Sequence, residues 1–231
     1  MTDKIMGVGR ETPTLQEIAA PSKRFKSTVE DMVVTVLREA ISRGVFPPGA
    51  KLHQERIATE LGVSRIPFRS ALRQLEAEDL VSVDPYRGAR VRVTTPDELA
   101  EIYELRVLLE SQALKIVFAK MSQADVDALE VIAVEMDAET DPIKRFDYHQ
   151  EFYRKLYLIS GKARLCELIG RLRLEVSRYW LTLPVHSDHE VFIKLLRMGD
   201  SKKAIKWLTQ HLREVSKKLQ SLIQEESVAV E

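Results

Sequence analysis

The chain has 231 residues, 35 Lys and Arg against 35 Asp and Glu, and a hydrophobic fraction of 45%. That length makes one large domain or two ordinary ones, the apolar content suffices for packed cores, and zero net charge argues against a generic polyanion binder. A single cysteine, Cys166, excludes an internal disulfide and fits a reducing cytosol. With no signal-peptide pattern and no apolar run near about 18 residues, a cytoplasmic protein without a membrane span is expected.

Residues 1–26 contain Gly7, Gly9, Pro13 and Pro21 and show no sustained periodicity, so a mobile tail is expected there. Its Lys23, Arg24 and Lys26 suit phosphates or plain solvent. Ser27-Thr28-Val29-Glu30 has the text of a capping box with Ser27 at the cap. From Val29 through Val33, Val36, Leu37 and Ala40 to Ile41, apolar residues repeat at helical spacing until Gly44. Pro47-Pro48-Gly49 then turns the chain into a two-turn helix, Gln54–Leu61, with Ile57, Ala58 and Leu61 on one side. Gly62 suits a left-handed helix end.

Ser64 is a good N-cap for the next helix, and Pro67 lies in its first turn, where a missing N–H does no harm. At about 100° per residue, Phe68, Ala71, Leu72 and Leu75 share one face, and Arg65, Arg69 and Arg73 form a ridge on another. A short helix, a three-residue turn with Gly and a second helix with basic residues at its start make a helix-turn-helix. Val81–Val83 and Ala89–Val93 alternate with period two around Asp84-Pro85-Tyr86-Arg87-Gly88, which predicts a small hairpin, a wing. Arg87, Arg90 and Arg92 decorate it. Charge is also uneven: up to residue 95 there are 15 Lys and Arg against 12 Asp and Glu, whereas the remainder is acidic by the same margin. A basic head on an acidic body fits specific DNA binding by the head.

Pro47-Pro48-Gly49-Ala50-Lys51-Leu52, the string Leu61 to Glu76 and Tyr86-Arg87-Gly88-Ala89 resemble the GntR family of bacterial transcriptional regulators. The usual family text at the turn is Ser-Arg-Thr-Pro-Val-Arg-Glu-Ala-Leu, and this chain carries Ile66, Phe68 and Ser70 in place of Thr, Val and Glu. The resemblance implies a winged helix-turn-helix over residues 27–94. Ser64, Arg65, Arg69, Arg73, Arg87 and Gly88 would touch double-stranded operator DNA. Ile66 removes a hydroxyl the family commonly uses there, which bears on operator preference.

Thr95-Pro96-Asp97-Glu98 is another capping box with Pro at the first helical position. After it everything is expected to be helical: to about Lys120, from Ser122 through Met136, from Asp141 to about Ser160, from Ala163 to about Leu181 before Pro184, from Asp188 to Met198, and from Ser201 to about Gln224. Six or so helices with short links predict an antiparallel bundle over 95–226, and a mainly α protein.

Glu104-Leu105-Arg106-Val107-Leu108-Leu109-Glu110, Phe152-Tyr153-Arg154-Lys155-Leu156 before Ser160-Gly161, and His189-Glu190 ahead of Gly199-Asp200 resemble the all-helical FCD ligand-binding domain of the FadR subfamily. The resemblance implies a homodimer switched by a small molecule, often a carboxylate, and in many members a divalent metal in the bundle. The usual ligands are Asp and His four apart, then two further His. The matching positions here are His149, Tyr153, His189 and His211, so His replaces Asp and Tyr replaces His. Three imidazoles suit zinc, nickel or copper. The alternative is a plain polar pocket that binds the effector directly. Arg106 faces the bundle interior by its spacing from Tyr103 and Leu109, and suits either an effector carboxylate or an ion pair with Glu110. Tyr153 and Arg178 are further effector candidates. A metal-dependent enzyme or metal sensor and an effector-free architectural DNA binder are the competing classes. No catalytic triad or phosphate-binding loop supports an enzyme, and a ligand-responsive regulator, by family habit a repressor, is the expected function.

Overall fold

The computed structural model describes residues 14–22, 28–179 and 189–228, with side chains described at 14–19, 28–179 and 189–224. The expected break at Pro184, and Lys23, Arg24 and Lys26, lie outside the described residues. The chain divides into two compact units between Val93 and Thr94.

In the first unit, α1 (Leu15–Ser22) precedes α2 (Val29–Ser42). The expectation of a mobile tail is corrected over this stretch: Leu15, Ile18 and Ala19 are buried, and α1 packs on α2 and on α3 (Gln54–Leu61). The cap of α2 also moves by one residue. Thr28 Oγ1 accepts from Asp31 N at 3.1 Å while Asp31 Oδ2 accepts from Thr28 N at 3.0 Å, so Thr28 and Asp31 form the box expected at Ser27 and Glu30. Val33, Val36, Leu37, Ala40 and Ile41 are buried beneath α4 (Arg65–Ala77), which returns Phe68, Ala71, Leu72 and Leu75. Burying each such Leu or Phe contributes about 1.5–3 kcal/mol. Polar ties orient the pair: Arg38 is bidentate on Glu78 at 3.0 and 2.7 Å, and Ser70 Oγ donates to Glu30 at 2.7 Å.

Gly62 ends α3 at φ 69°, and a Cβ there would meet nothing within 4 Å; backbone conformation alone asks for glycine. The wing is a three-stranded antiparallel sheet of β1 (Lys51–Leu52), β2 (Val81–Asp84) and β3 (Gly88–Val91), with β3 central. The sequence pattern showed only β2 and β3. Two residues, Lys51 and Leu52, suffice for β1 because they pair with Arg90 and Ala89.

The second unit holds α5 (Pro96–Phe118), α6 (Gln123–Ala138), α7 (Pro142–Leu158), α8 (Ala163–Ser177), α9 (His189–Arg197) and α10 (Ser201–Val228). The capping boxes of Thr95 with Glu98 and Ser122 with Asp125 start α5 and α6, and Asp141 accepts from Ile143 N at 2.8 Å to start α7. α5 packs along α10 and also touches α7 and α8, while α6 packs on α7 and α9. Its buried stripe of Leu99, Tyr103, Ala113, Leu114 and Val117 carries two charges, Arg106 and Glu110. Charges on a buried stripe need partners, and the other helices supply them. No described helix is long and apolar enough to cross a membrane.

Candidate nucleic-acid interface and buried polar centre

In the first unit, the tight turn at Gly62 delivers α4 with its start in solvent. Ser64 sits at the N-cap position with extended backbone, but its hydroxyl makes no capping bond, contrary to the expected cap. The exposed hydroxyl and the orphan N–H groups of the first turn therefore stay open to an external acceptor. Arg65, Arg69 and Arg73 are exposed, and four-residue spacing sets successive guanidinium stems about 6 Å apart along the helix. Arg65 reaches Glu55 at 2.7 Å, with both side chains about three-quarters exposed. Such a pair contributes about 0–1 kcal/mol and yields to a phosphate or a base. Ile66, 82% exposed, presents an apolar surface between the arginines.

In the wing, Asp84 Oδ1 accepts from Tyr86 N and Arg87 N, both at 2.7 Å, which folds the tip and leaves Gly88 at φ 81°. Arg90 donates to Gly49 O at 3.1 Å and Arg92 pairs with Asp79, so both are tied to their own unit. Arg87 is exposed. Arg69 and Arg73 are likewise exposed, and none of the three has an ion-pair partner among the described residues, so their positive charge is uncompensated there. Tyr86 at the tip is 98% exposed; sequence reasoning gave it no role, although its place between Pro85 and Arg87 is the signal.

In the second unit, α5 contributes Tyr103, Arg106 and Glu110, α7 contributes His149, Tyr153 and Tyr157 at four-residue spacing, and α8, α9 and α10 add Arg173, His189 and His211. Glu110 is fully buried and accepts from Arg106 Nε at 2.7 Å and from the Tyr157 hydroxyl. Arg106 is therefore engaged by the ion pair, one of its two expected roles. Arg173, which sequence reasoning missed, lies 3.5 Å from Glu110 Oε2 through Nη1 and 3.5 Å from His149 Nδ1 through Nη2. Its guanidinium sits 4.0 Å over the Tyr153 ring. Arg173 stands four residues after buried Ile169 and three before buried Val176, the spacing that marks an inward face.

His149 and His189 stand ring to ring at 6.2 Å, and His189 Nδ1 is 3.9 Å from Asp137. His211 stacks on Trp207 with centroids 5.1 Å apart. The Tyr153 hydroxyl is buried with no hydrogen-bond partner among the described residues. Arg178 is placed elsewhere: it donates to Thr94 Oγ1 and lies 5.4 Å over the Tyr179 ring, with Nε and Nη1 buried and unpartnered among the described residues.

Burial, and then the Arg106 and Arg173 charges, push His211 down to about 4; burial and Arg173 push His149 well below the usual histidine range. Burial lifts Tyr153 to about 12. For Glu110, burial pulls the carboxyl up, but Arg106 and Arg173 outweigh it and hold it below its usual value. At neutral pH both histidines are therefore neutral and Glu110 is ionised. An unfolded chain takes up protons below 6.5 that the folded unit refuses until about 4. Stability present above pH 6.5 is thus lost as pH falls through that window, at most about 1.4 kcal/mol per histidine per pH unit. The sequence has two tryptophans, both after Thr94, and Trp207 stacks on His211, so tryptophan fluorescence during melting reads this unit selectively. The midpoint should fall between pH 7 and 5, and His211→Gln should flatten the slope; equal wild-type midpoints would contradict the assignment.

The metal expected at His149, His189 and His211 meets a poor fit. Among the described residues no group of three His, Cys, Asp or Glu side chains comes together as a metal requires. The carboxylate of the usual donor set is absent, and a guanidinium lies against His149 instead. The donor set present suits hydrogen bonding and charge pairing better than metal ligation.

Comparison with known proteins agrees with both halves. Residues 29–91 match the bacterial regulatory proteins, gntR family, and residues 101–214 match the FCD domain. The chain is 31% identical over 163 residues to an uncharacterized HTH-type transcriptional regulator of Mycobacterium tuberculosis, covering 63% of this chain and 67% of that protein. It is 27% identical over 229 residues to the gluconate operon transcriptional repressor of Bacillus subtilis, covering 90% and 92%. Among solved structures, a GntR family transcriptional regulator from Pseudomonas syringae pv. tomato superposes with a TM-score of 0.55 at 27% identity, covering 94% and 97%. A GntR transcriptional regulator from Rhodococcus gives 0.73 at 24% identity over 84% and 99%, a likeness of fold.

Proposed function

Since this chain belongs to the gntR family of bacterial regulatory proteins and carries an FCD domain, we propose that it is a cytoplasmic, ligand-responsive repressor. It binds a palindromic operator as a homodimer and is switched by a small carboxylate in the helical unit. One observation carries the reading: the exposed ridge of Arg65, Arg69 and Arg73 at the solvent-facing start of a helix-turn-helix. Arg65 and Arg69, nearest the helix start, suit bidentate pairing with guanine in the major groove. Ser64, Arg73, Arg87 and the Gly88 backbone hold phosphates, which set register rather than sequence. Repression is supported by the roles of similar proteins, the gluconate operon repressor among them. The FCD match supports a binding role for the polar centre, where burial holds His149 and His211 below and Tyr153 above their ordinary ranges.

Genomic fragments selected by the purified protein should share an inverted repeat whose half-sites lie about one helical turn, roughly 34–36 Å, apart. Small carboxylates should release them. Selected fragments without a shared repeat, or a complex containing one protein chain per site, would defeat the dimer reading.

A further inference from the structure

Where the resemblance implies a metal, the cation beside His149 and Tyr153 is Arg173, buried on α8. Arginine only donates hydrogen bonds, so the His149 Nδ1 facing Nη2 at 3.5 Å is the nitrogen with the lone pair. A metal would need that lone pair and would sit against a fixed positive charge. Charge balance also favours an anion over a cation. Two guanidinium groups, Arg106 and Arg173, share one buried carboxylate, Glu110, and its closer bond goes to Arg106, 2.7 Å against 3.5 Å. Among the described residues one of these two buried positive charges has no carboxylate of its own, and an uncompensated buried ion is costly. Next to it lies the fully buried Tyr153 hydroxyl, without a partner among the described residues. The guanidinium lies 4.0 Å over the Tyr153 ring, and a phenol donor and a planar guanidinium on neighbouring groups can each take one oxygen of a carboxylate.

We propose that Arg173 stands in for the metal as the anion-holding cation of the helical unit, and that with the Tyr153 hydroxyl it receives the carboxylate of a small organic ligand without any metal. This rests on reading the unit as effector-binding and goes further by naming the receptor and its independence of metal.

The test uses the full chain, titrated calorimetrically with acetate, lactate, succinate and gluconate in EDTA and again with zinc chloride. At least one carboxylate should bind in EDTA, its uncharged amide should not, and zinc should add nothing. Arg173→Lys should weaken that binding about 10-fold and Arg173→Gln about 100-fold, as loss of a charge-assisted pair implies. Arg173→Gln should also take up zinc at concentrations the wild type ignores, because the competing charge is gone. Should Arg173→Gln fail to fold, Arg173→Lys, which keeps the charge, carries the affinity test. Carboxylate binding that requires zinc, or that both variants leave unchanged, overturns the role of Arg173 while the effector reading stands. If none of the four binds or releases operator DNA, the effector reading fails and this proposal with it.

Discussion

Replacing Glu110 by glutamine should destabilise the helical unit by about 3–5 kcal/mol, the range for removing one partner of a buried ion pair. Glu110 is fully buried and takes Arg106 Nε at 2.7 Å, the Tyr157 hydroxyl and, more distantly, Arg173. An amide keeps the shape but cancels no charge, so two buried guanidinium groups would be left without a carboxylate among the described residues. Urea unfolding followed by tryptophan fluorescence, with Trp207 stacked on Phe192 and His211, measures the loss in this unit. The paired change Arg106→Met with Glu110→Met should recover most of it, since the charges leave together. A loss within the roughly 0.5 kcal/mol of an ordinary surface substitution would sink this account. The pH dependence follows in sign. The folded carboxyl titrates below its usual 4.5, so its contribution is present above 4.5 and is lost as pH falls through the lower folded value.

Arg65→Ala and Arg69→Ala should each weaken operator binding by about 1–3 kcal/mol per half-site, and so by about 2–6 kcal/mol for a dimer on two half-sites, while relaxing sequence preference. Stability should scarcely change. Both side chains are exposed, and Arg65 gives up only a surface pair with Glu55, so the two variants separate recognition from folding. Arg73→Ala lies farther along α4 and should act on all sequences alike, lowering the slope of log affinity against log salt by about 1. Titrations of labelled operator at several salt concentrations distinguish the two patterns. Wild-type affinity in both Arg65→Ala and Arg69→Ala would remove the ridge from the interface.

Local chemistry determined much of this molecule in a way the sequence alone displays. The apolar periods of α2, α4 and α5–α10, the boxes at Thr95 and Ser122, and Gly62 at the turn all act over three or four residues, so the mainly α class and the winged helix-turn-helix are legible without coordinates. The arginine ridge is legible for the same reason, because residues four apart share a helix face whatever lies beneath. What escaped is non-local. α1 has eight residues, too short to hold by itself, and buries Leu15, Ile18 and Ala19 through packing on α2 and α3. β1 has two residues and exists because β3 pairs with it. At the cap of α2, Ser27 and Thr28 offer the same chemistry, and only the helix itself selects Thr28 with Asp31.

The polar centre shows the same division most sharply. Spacing put Arg106 inside but left open whether it met Glu110 or a ligand, and the bundle joined it to Glu110. Histidine positions left a metal site and a plain polar pocket both open, and the charged group found beside His149 is Arg173, one of two arginines flanking Leu172. A buried charge is decided by which groups from other helices face it, and that juxtaposition is a property of the packed bundle: α5, α7 and α8 meet only there, some forty to sixty residues apart in sequence.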